Sequence, residues 1–501
     1  MNLCRTACNI PLPWISIHPC MTLKHLILLF LITSLSSAEQ RPNIVFCIAD
    51  DWGWPHASSY HDPVVKTPHF DHIAKQGVLF QHAYVSSPSC TPSRNAILTG
   101  KYHWSLGQGA NLWSHFPQGE HTFPRILERA GYHVGSYRKA FGPGKDAKPP
   151  AAGKIYKSPD HFFTSLPPNQ PFCFWFGTSD PHRSYKKGSG INSGMNPKKV
   201  RVPPVLPNTP EIQSDICDYY FEVQRFDSQV GDLLKLLANN DLLKNTIVIM
   251  TSDHGWPFPR GKSNLYDLGT RVPLAIMWPN AIKHTNRTFT DFVSLTDIAP
   301  TLLEAANISP PAPMHGRSLL PILQSNQLSD PQNKRASVIT GKERHTPCQE
   351  SGSQSAPCRA IRTHQFLYIH NFKPNRWPAG APVGEKRSNY ADIDDSPTKS
   401  FILKHKDDSK YSQFYQLACA KRPQDELYDL SNDPHQINNI AHKPQFQNTL
   451  KTLKNQLFEK LTTTGDLRMT NHGDQYENWP YLGRTQQSNT IERNGMNEWS
   501  E

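Results

Sequence analysis

Residues able to do chemistry gather in a few short stretches of this chain. Asp50-Asp51 closes the apolar run Ile44-Val45-Phe46-Cys47-Ile48-Ala49, and Asp253-His254 follows a second run, Thr246-Ile247-Val248-Ile249-Met250. Between them lies Ser89-Cys90-Thr91-Pro92-Ser93-Arg94, with Leu98-Thr99-Gly100-Lys101 shortly after. Carboxylate oxygens suit a hard divalent cation such as calcium or magnesium. Asp50, Asp51 and Asp253 crowded together would repel one another, and a bound cation is the natural compensation. His254 departs mildly from an all-oxygen ligand set. Asp50-Asp51 alone would equally cap a helix or turn; the company of Asp253-His254 and Cys90 favours the metal. Two further runs end in charge: residues 132–137 lead into Arg138 and Lys139, and Phe172-Cys173-Phe174-Trp175-Phe176 leads towards Asp180 and His182. A lone lysine such as Lys139 or Lys262 is ordinarily solvated surface, and a histidine after Asp180-Pro181 is ordinarily a turn residue. Their positions after strand-like runs or beside the Asp253 motif argue for more.

The elements that must position these groups can be read from the same pattern. Near-continuous apolar runs of this length suit strands buried on both faces, as in a parallel sheet. Residues 68–75, 122–130 and 212–237 repeat apolar side chains at helical spacing. Strands alternating with helices imply an α/β fold with a mostly parallel sheet flanked by helices. In such sheets ligands bind beyond the carboxyl ends of the strands, so the four charged endings are expected to converge on one site. From about residue 330 the apolar runs shorten, as in Phe366-Leu367-Tyr368-Ile369, and a helical pattern occupies residues 445–461. This reads as a smaller C-terminal α+β domain, an antiparallel sheet with a helix. The expected division is therefore 1–38, 39–329 and 330–501, with the polar tail after Asp466 loosely ordered.

The chain has 501 residues, 19% charged and 10% aromatic, which fits a globular protein. Residues 21–38 read as a signal peptide: a short basic start at Lys24 and His25, an apolar stretch too short to span a bilayer, then Ser36-Ser37-Ala38. Met21 would then be the true initiator, with 1–20 an upstream extension. No other stretch resembles a membrane helix, so the mature chain is expected to be exported without a membrane span, to a periplasm, a lysosome or the external medium. Net charge is +11, and removing Arg5 and Lys24 with residues 1–38 leaves 11 − 2 = +9. The excess suits solubility and, equally, attraction to a polyanion; no nucleic-acid motif accompanies it. Ten cysteines are too few for a disulfide scaffold. Cys4, Cys8 and Cys20 precede the mature chain, Cys47 and Cys173 sit in strand-like runs, and Cys348 and Cys358 lie in a polar region where export permits pairing.

Cys90-Thr91-Pro92-Ser93-Arg94 with Thr99-Gly100-Lys101 resembles the signature of the type I (formylglycine-dependent) sulfatases, C-x-P-S-R followed by T-G-[RK]. The likeness covers nearly the whole mature chain. Arg41-Pro42-Asn43-Ile44 to Asp51 is similar to the family's opening strand, Thr251-Ser252-Asp253-His254-Gly255 to its second metal motif, and Glu426-Leu427-Tyr428-Asp429-Leu430 with Asp433-Pro434 to its C-terminal box. Within the family it most resembles the heparan N-sulfatase (sulfamidase)-like members, through Ser179-Asp180-Pro181-His182-Arg183, Val205-Leu206-Pro207-Asn208-Thr209-Pro210, and Pro257-Phe258-Pro259 before Asn264-Leu265-Tyr266. The resemblance implies an alkaline-phosphatase-like fold and conversion of Cys90 to formylglycine by a formylglycine-generating enzyme. It also implies one calcium ion held by Asp50, Asp51, Asp253, His254 and residue 90. The hydrated aldehyde would attack sulfur in line, Arg94 would steady it, and Lys139, Lys262 and His182 would grip sulfate or protonate the leaving oxygen or nitrogen. Lys101 would hold the signature segment. One departure stands out: the family's Lys-x-His reads Lys139-Ala140-Phe141 here, which makes His182 the first candidate acid.

Recognition of substrate is expected from Glu343-Arg344-His345 and from residues 371–376 with Trp377, since arginine grips anions in bidentate fashion and aromatic faces stack on sugars. Trp377 could equally plug a domain interface. The function implied is hydrolysis of sulfate from a sulfated saccharide, O-linked or N-linked. Two alternatives are a phosphohydrolase of the same superfamily, which would want Ser or Thr as nucleophile and two zinc ions, and a non-catalytic binder of sulfated polysaccharide on a degenerate fold. Sequons stand at Asn286 and Asn307.

Overall fold

The computed structural model describes residues 41–332 and 334–484. The expected leader, with Cys4, Cys8 and Cys20, lies outside them. Nine strands form one sheet: β1 (Asn43–Ala49), β2 (Val78–Tyr84), β3 (His133–Arg138), β4 (Lys154–Tyr156), β5 (Phe172–Gly177), β6 (Thr246–Ser252), β7 (Arg271–Val272), β8 (Leu274–Met277) and β9 (Arg287–Ser294). Their spatial order is β9-β2-β8-β6-β1-β5-β3-β4, with β7 paired to β2. The four apolar runs of the sequence are β6, β1, β5 and β3, four contiguous parallel neighbours. The sheet is mixed further out: β8 runs antiparallel to both β6 and β2.

Both faces of the central strands are buried, which explains their unbroken apolar composition. Along β1, Ile44, Phe46 and Ile48 join a core that includes Phe123 and Leu127 of helix α3 (Phe123–Arg129). Val45, Cys47 and Ala49 point the other way, into a core with Ile212, Val223, Phe226 and Val230 of helix α4 (Pro210–Asn239) and Phe70 and Ile73 of helix α1 (Pro68–Lys75). Each such large apolar side chain contributes about 1.5–3 kcal/mol on burial. Helix α4 starts where its sequence dictates, with Thr209 Oγ1 accepting from the Ile212 amide and Pro210 in the first turn. Helix α2 (Cys90–Thr99) is buried along its whole length and ends at Gly100, whose φ of 67° closes the helix in the left-handed region.

A separate antiparallel sheet follows, in the order β10 (Ser337–Lys342), β11 (Cys358–Thr363), β12 (Phe366–Asn371) and β13 (Asp425–Asp429). Helix α5 (Gln447–Thr463) lays Leu453, Leu457 and Leu461, spaced by four, onto Ile361, Tyr368 and Leu427. Two expectations are corrected here. The stretch after Asp466 is ordered as far as the described residues extend: Asp466 and Tyr476 are fully buried, and Asp466 clamps Arg359. Cys348 and Cys358 are unpaired and buried; Cys358 opens β11 and Cys348 Sγ donates to Asp392.

Candidate active site

Strand register brings the acidic motifs together. Ala49 pairs with Ser252 across β1 and β6, so residues 50–51 and 253–254 leave the sheet side by side. The Asp253 amide donates to the Ala49 carbonyl at 3.2 Å, and the Asp51 amide donates to Asp253 Oδ1 at 3.1 Å. Asp51 has φ 78°, a left-handed conformation that aspartate tolerates better than bulkier residues and that turns its carboxylate back over the strand ends. Cys90 is the first residue of α2, so its side chain sits at the partly positive end of a ten-residue helix.

One donor atom from each of Asp50, Asp51, Cys90 and His254 lies within 4.8 Å of the others. Cys90 Sγ is 3.4 Å and Asp51 Oδ1 2.9 Å from His254 Nε2. His254 Nδ1 donates to the Gly255 carbonyl at 3.0 Å, so Nε2 is the ring atom that faces the group; burial would lower the imidazole pKa there, but the Asp253 and Asp51 carboxylates outweigh it and drive it well up. Oδ1 of Asp50 is buried and accepts no hydrogen bond, and buried Oδ1 of Asp51 has the His254 ring as its neighbour. Buried carboxylate oxygens converging with an imidazole nitrogen fit a divalent cation, which would take the place of the Nε2 proton. Asp253 stands outside the group of four: its Oδ2 accepts from Arg94 Nε at 2.7 Å and its Oδ1 from the Asp51 amide.

Cations ring this acidic centre. Arg94 Nη1 also donates to the Lys139 carbonyl at 2.7 Å, and its Nη2 lies 3.7 Å from Asp50 Oδ1. Lys139 Nζ bonds Asp50 Oδ2, and Lys262 Nζ bonds Asp51 Oδ2 at 2.8 Å. Burial by itself would raise the Asp51 pKa, but Lys262 and His254 more than offset it and hold it well below the usual carboxylate range. At Asp50 burial wins over Lys139, and the pKa goes up. Burial would lower the Lys262 pKa; Asp394 and Asp51 outweigh it and drive it well up.

His182 is a third exposed, and its Nε2 lies 3.1 Å from Lys262 Nζ. Its Nδ1 donates to the Arg183 carbonyl, so Nε2 is the acceptor side of the ring. Asp394 completes this edge, accepting from Lys262 at 3.0 Å and grouping with Asp51 and His182. Sequence reasoning missed Asp394; the signal available was the acidic run Asp392-Ile393-Asp394-Asp395.

The expected recognition residues divide. Arg344 does not face this pocket as a free cation. It is 1% exposed and donates to the carbonyls of Trp479 at 2.9 Å and Pro480 at 3.1 Å, anchoring the C-terminal segment. His345 is buried against Ser89 Oγ at 2.8 Å, next to Cys90, and burial pushes its pKa down to about 3. Trp377 is half-buried, packs edge-on to Tyr390 and donates from Nε1 to Glu350. Lys101 pairs with Glu120 at 2.6 Å. Phe141 lies in the core against Phe116.

Comparisons with known proteins agree with this arrangement. The Sulfatase family model matches residues 42–308, and the model "N-sulphoglucosamine sulphohydrolase, C-terminal" matches residues 252–378. The chain is 30% identical to the N-sulphoglucosamine sulphohydrolase of Homo sapiens, over 86% of this chain and 91% of that one. It is 28% identical to an ulvan-active sulfatase of Formosa agariphila, over 85% and 76%. A solved structure in complex with its substrate D-glucosamine-2-N,6-O-disulfate aligns with a TM-score of 0.62 at 20% identity, covering 85% of this chain and 98% of that one. A phosphonate monoester hydrolase of Agrobacterium radiobacter aligns equally well, TM-score 0.62 at 16% identity over 86% and 97%, so likeness at that level shows the shared alkaline-phosphatase-like fold alone. The family match over more than half the chain decides between them: this chain belongs to the sulfatase family of sulfuric ester hydrolases.

Proposed function

We propose that the protein is exported and removes sulfate from a sulfated saccharide, with residue 90 as its nucleophile. The observation that carries this reading is the meeting of Cys90 with Asp50, Asp51 and His254 inside a ring of Arg94, Lys139 and Lys262. Oxidation of Cys90 to formylglycine by a formylglycine-generating enzyme supplies an aldehyde whose hydrate carries two hydroxyls on one carbon, one to attack sulfur and one to expel sulfate afterwards. Asp50, Asp51, His254 and residue 90, with Asp253 alongside, would hold a calcium ion, which would supply Lewis-acid stabilisation of the sulfate oxygens.

The chain's own side chains do the rest. Arg94 is fixed by Asp253 and by the Lys139 carbonyl, so its charge is already aimed beside residue 90 and needs no reorganisation. Lys139 and Lys262 flank the acidic centre and present ammonium groups to the equatorial oxygens of a bound sulfate. His182, with Nε2 3.1 Å from the Lys262 ammonium and partly open to solvent, is the group placed to take up a proton and pass it to the leaving oxygen or nitrogen, because position 141 holds a buried phenyl ring that has no proton to give. The smaller domain, residues 330–501, adds Asp394 to the catalytic domain, residues 39–329. The match to the N-sulphoglucosamine sulphohydrolase C-terminal model supports sulfated glucosamine as the first sugar to offer.

The experiment is mass spectrometry of the peptide containing Cys90, from protein made in a secretory host that matures other sulfatases. A loss of about 18 Da relative to cysteine is expected, the difference between thiol and aldehyde. Turnover of sulfated glucosamine should accompany it and vanish in Cys90→Ala. An unmodified thiol in such a host overturns the reading.

A further inference from the structure

A cleft of about 740 Å³ opens along α3, on a wall the reaction above does not use. Arg125 and Arg129 line it from the helix, and Lys145 and Lys148 line it from the segment that begins at the short strand Gly144–Lys145. Two acids share the lining, and both are engaged. Glu120 holds Lys101 at 2.6 Å, and Asp146 Oδ1 accepts from the amides of Ala147 and Ala151. Arg125 is paired with Glu128 at 2.5 Å. That leaves Arg129, Lys145 and Lys148, all exposed, with no ion pair or side-chain hydrogen bond among the described residues. Solvated lysines are ordinary on a convex surface. Three exposed cations around one hollow are a different arrangement: Asp146, whose amide hydrogen bonds leave its charge in place, offsets one of them, and the remaining positive field favours an anion.

The cleft is tied to the catalytic centre by residues 139–145. Lys139 bonds Asp50 at one end of this segment, the Pro143 carbonyl accepts from Thr91 Oγ1 beside Cys90, and the Lys145 carbonyl accepts from the Phe116 amide at the cleft wall. Six residues of extended chain span at most about 20 Å, so the two places lie within the length of one elongated ligand. Resting on the sulfatase reading above, we propose that this cleft is a second anion subsite. It holds a neighbouring sulfated or carboxylated sugar of a polyanionic saccharide while another sulfate of the same chain sits at residue 90.

The test separates binding from turnover. In the full chain, Arg129→Ala/Lys145→Ala/Lys148→Ala is combined with Cys90→Ala and titrated with a sulfated glucosamine-containing hexasaccharide and with disulfated glucosamine, at low and raised salt. The expected result is about tenfold weaker hexasaccharide binding, with a shallower salt dependence and unchanged monosaccharide binding. With Cys90 retained, kcat/KM for the hexasaccharide should fall by a similar factor while that for the monosaccharide stays. The proposal is overturned if the hexasaccharide binds as before or if both ligands weaken alike. It is equally overturned if hexasaccharide binding weakens while its kcat/KM holds, which would make the cleft an independent anion site. Absence of turnover on every substrate in the unaltered chain would fault the sulfatase reading and leave the binding result to decide the cleft.

Discussion

Lys262 donates to Asp394 at 3.0 Å, a contact across 132 residues that fastens the connection between β12 and β13 to the catalytic pocket. Asp51 takes the same ammonium from the opposite side at 2.8 Å, so Lys262 is held between two carboxylates. Only Asp51 belongs to the group of metal-type donors around Cys90; Asp394 groups instead with Asp51 and His182 on the open side. Asp394 is therefore a positioning residue for Lys262.

Replacing Asp394 by Asn keeps shape and removes charge. About a tenfold loss in kcat/KM on sulfated glucosamine is expected, comparable to the loss of one charged hydrogen bond. Because Asp394 acts through Lys262, the double variant with Lys262→Ala should lose little beyond Lys262→Ala alone. Additive losses in that cycle would show that Asp394 works independently of Lys262.

The buried oxygens of Asp50 and Asp51, gathered with Cys90 and His254, make a second expectation concrete. A cation that binds only the folded chain stabilises it by about 2.7 kcal/mol at a hundredfold excess over its Kd, which for a protein of this size raises Tm by about 3 °C. Thermal melts with calcium and with chelator should differ by that order, and Asp51→Asn should erase the difference. Equal Tm values for the unaltered protein under both conditions would remove the metal from the account.

The central strands and the local motifs were legible for one physical reason: each is a short-range signal. Strands β1, β3, β5 and β6 are covered on both faces, so they read as apolar runs, and the residues that leave their carboxyl ends are the site. Strand β2 interrupts its run with Gln81 and His82, both partly exposed, and β8 is only four residues long, so neither carried a clear pattern. Asp394 and Arg344 were opaque or misread for the opposite reason. Their partners lie more than a hundred residues away, and those of Arg344 are backbone carbonyls, which leave no mark in a sequence. Phe141 looked like a gap in the catalytic set and proves to be a core residue packed on Phe116.

Arg344 should accordingly behave as a structural residue. Its guanidinium satisfies carbonyls of the segment around Trp479 from a buried position, and removing it leaves those acceptors bare. Arg344→Ala is expected to cost about 3 kcal/mol and to expose residues near 477–484 to limited proteolysis, with KM for sulfated glucosamine unchanged. A raised KM with unaltered stability would return Arg344 to substrate recognition.

His56 makes stability depend on pH. It is 5% exposed, and burial pushes its pKa down to about 4 against a weaker opposing effect of Asp62. The Tyr219 hydroxyl accepts from the Gly53 amide at 3.0 Å and lies 3.2 Å from His56 Nδ1, where its own proton can meet a neutral ring. The unfolded chain takes up a proton near pH 6.5 and the folded chain only near pH 4. Stability from this group is therefore complete above about pH 6.5 and is lost as pH falls towards 4. Between pH 6.5 and 5 the loss amounts to about 2 kcal/mol. Urea unfolding at pH 7 and pH 5 should show that increment in the unaltered protein and a smaller one in His56→Gln. An identical pH dependence in the two proteins would mean that His56 is charged in the fold, and that the Tyr219 proton points elsewhere.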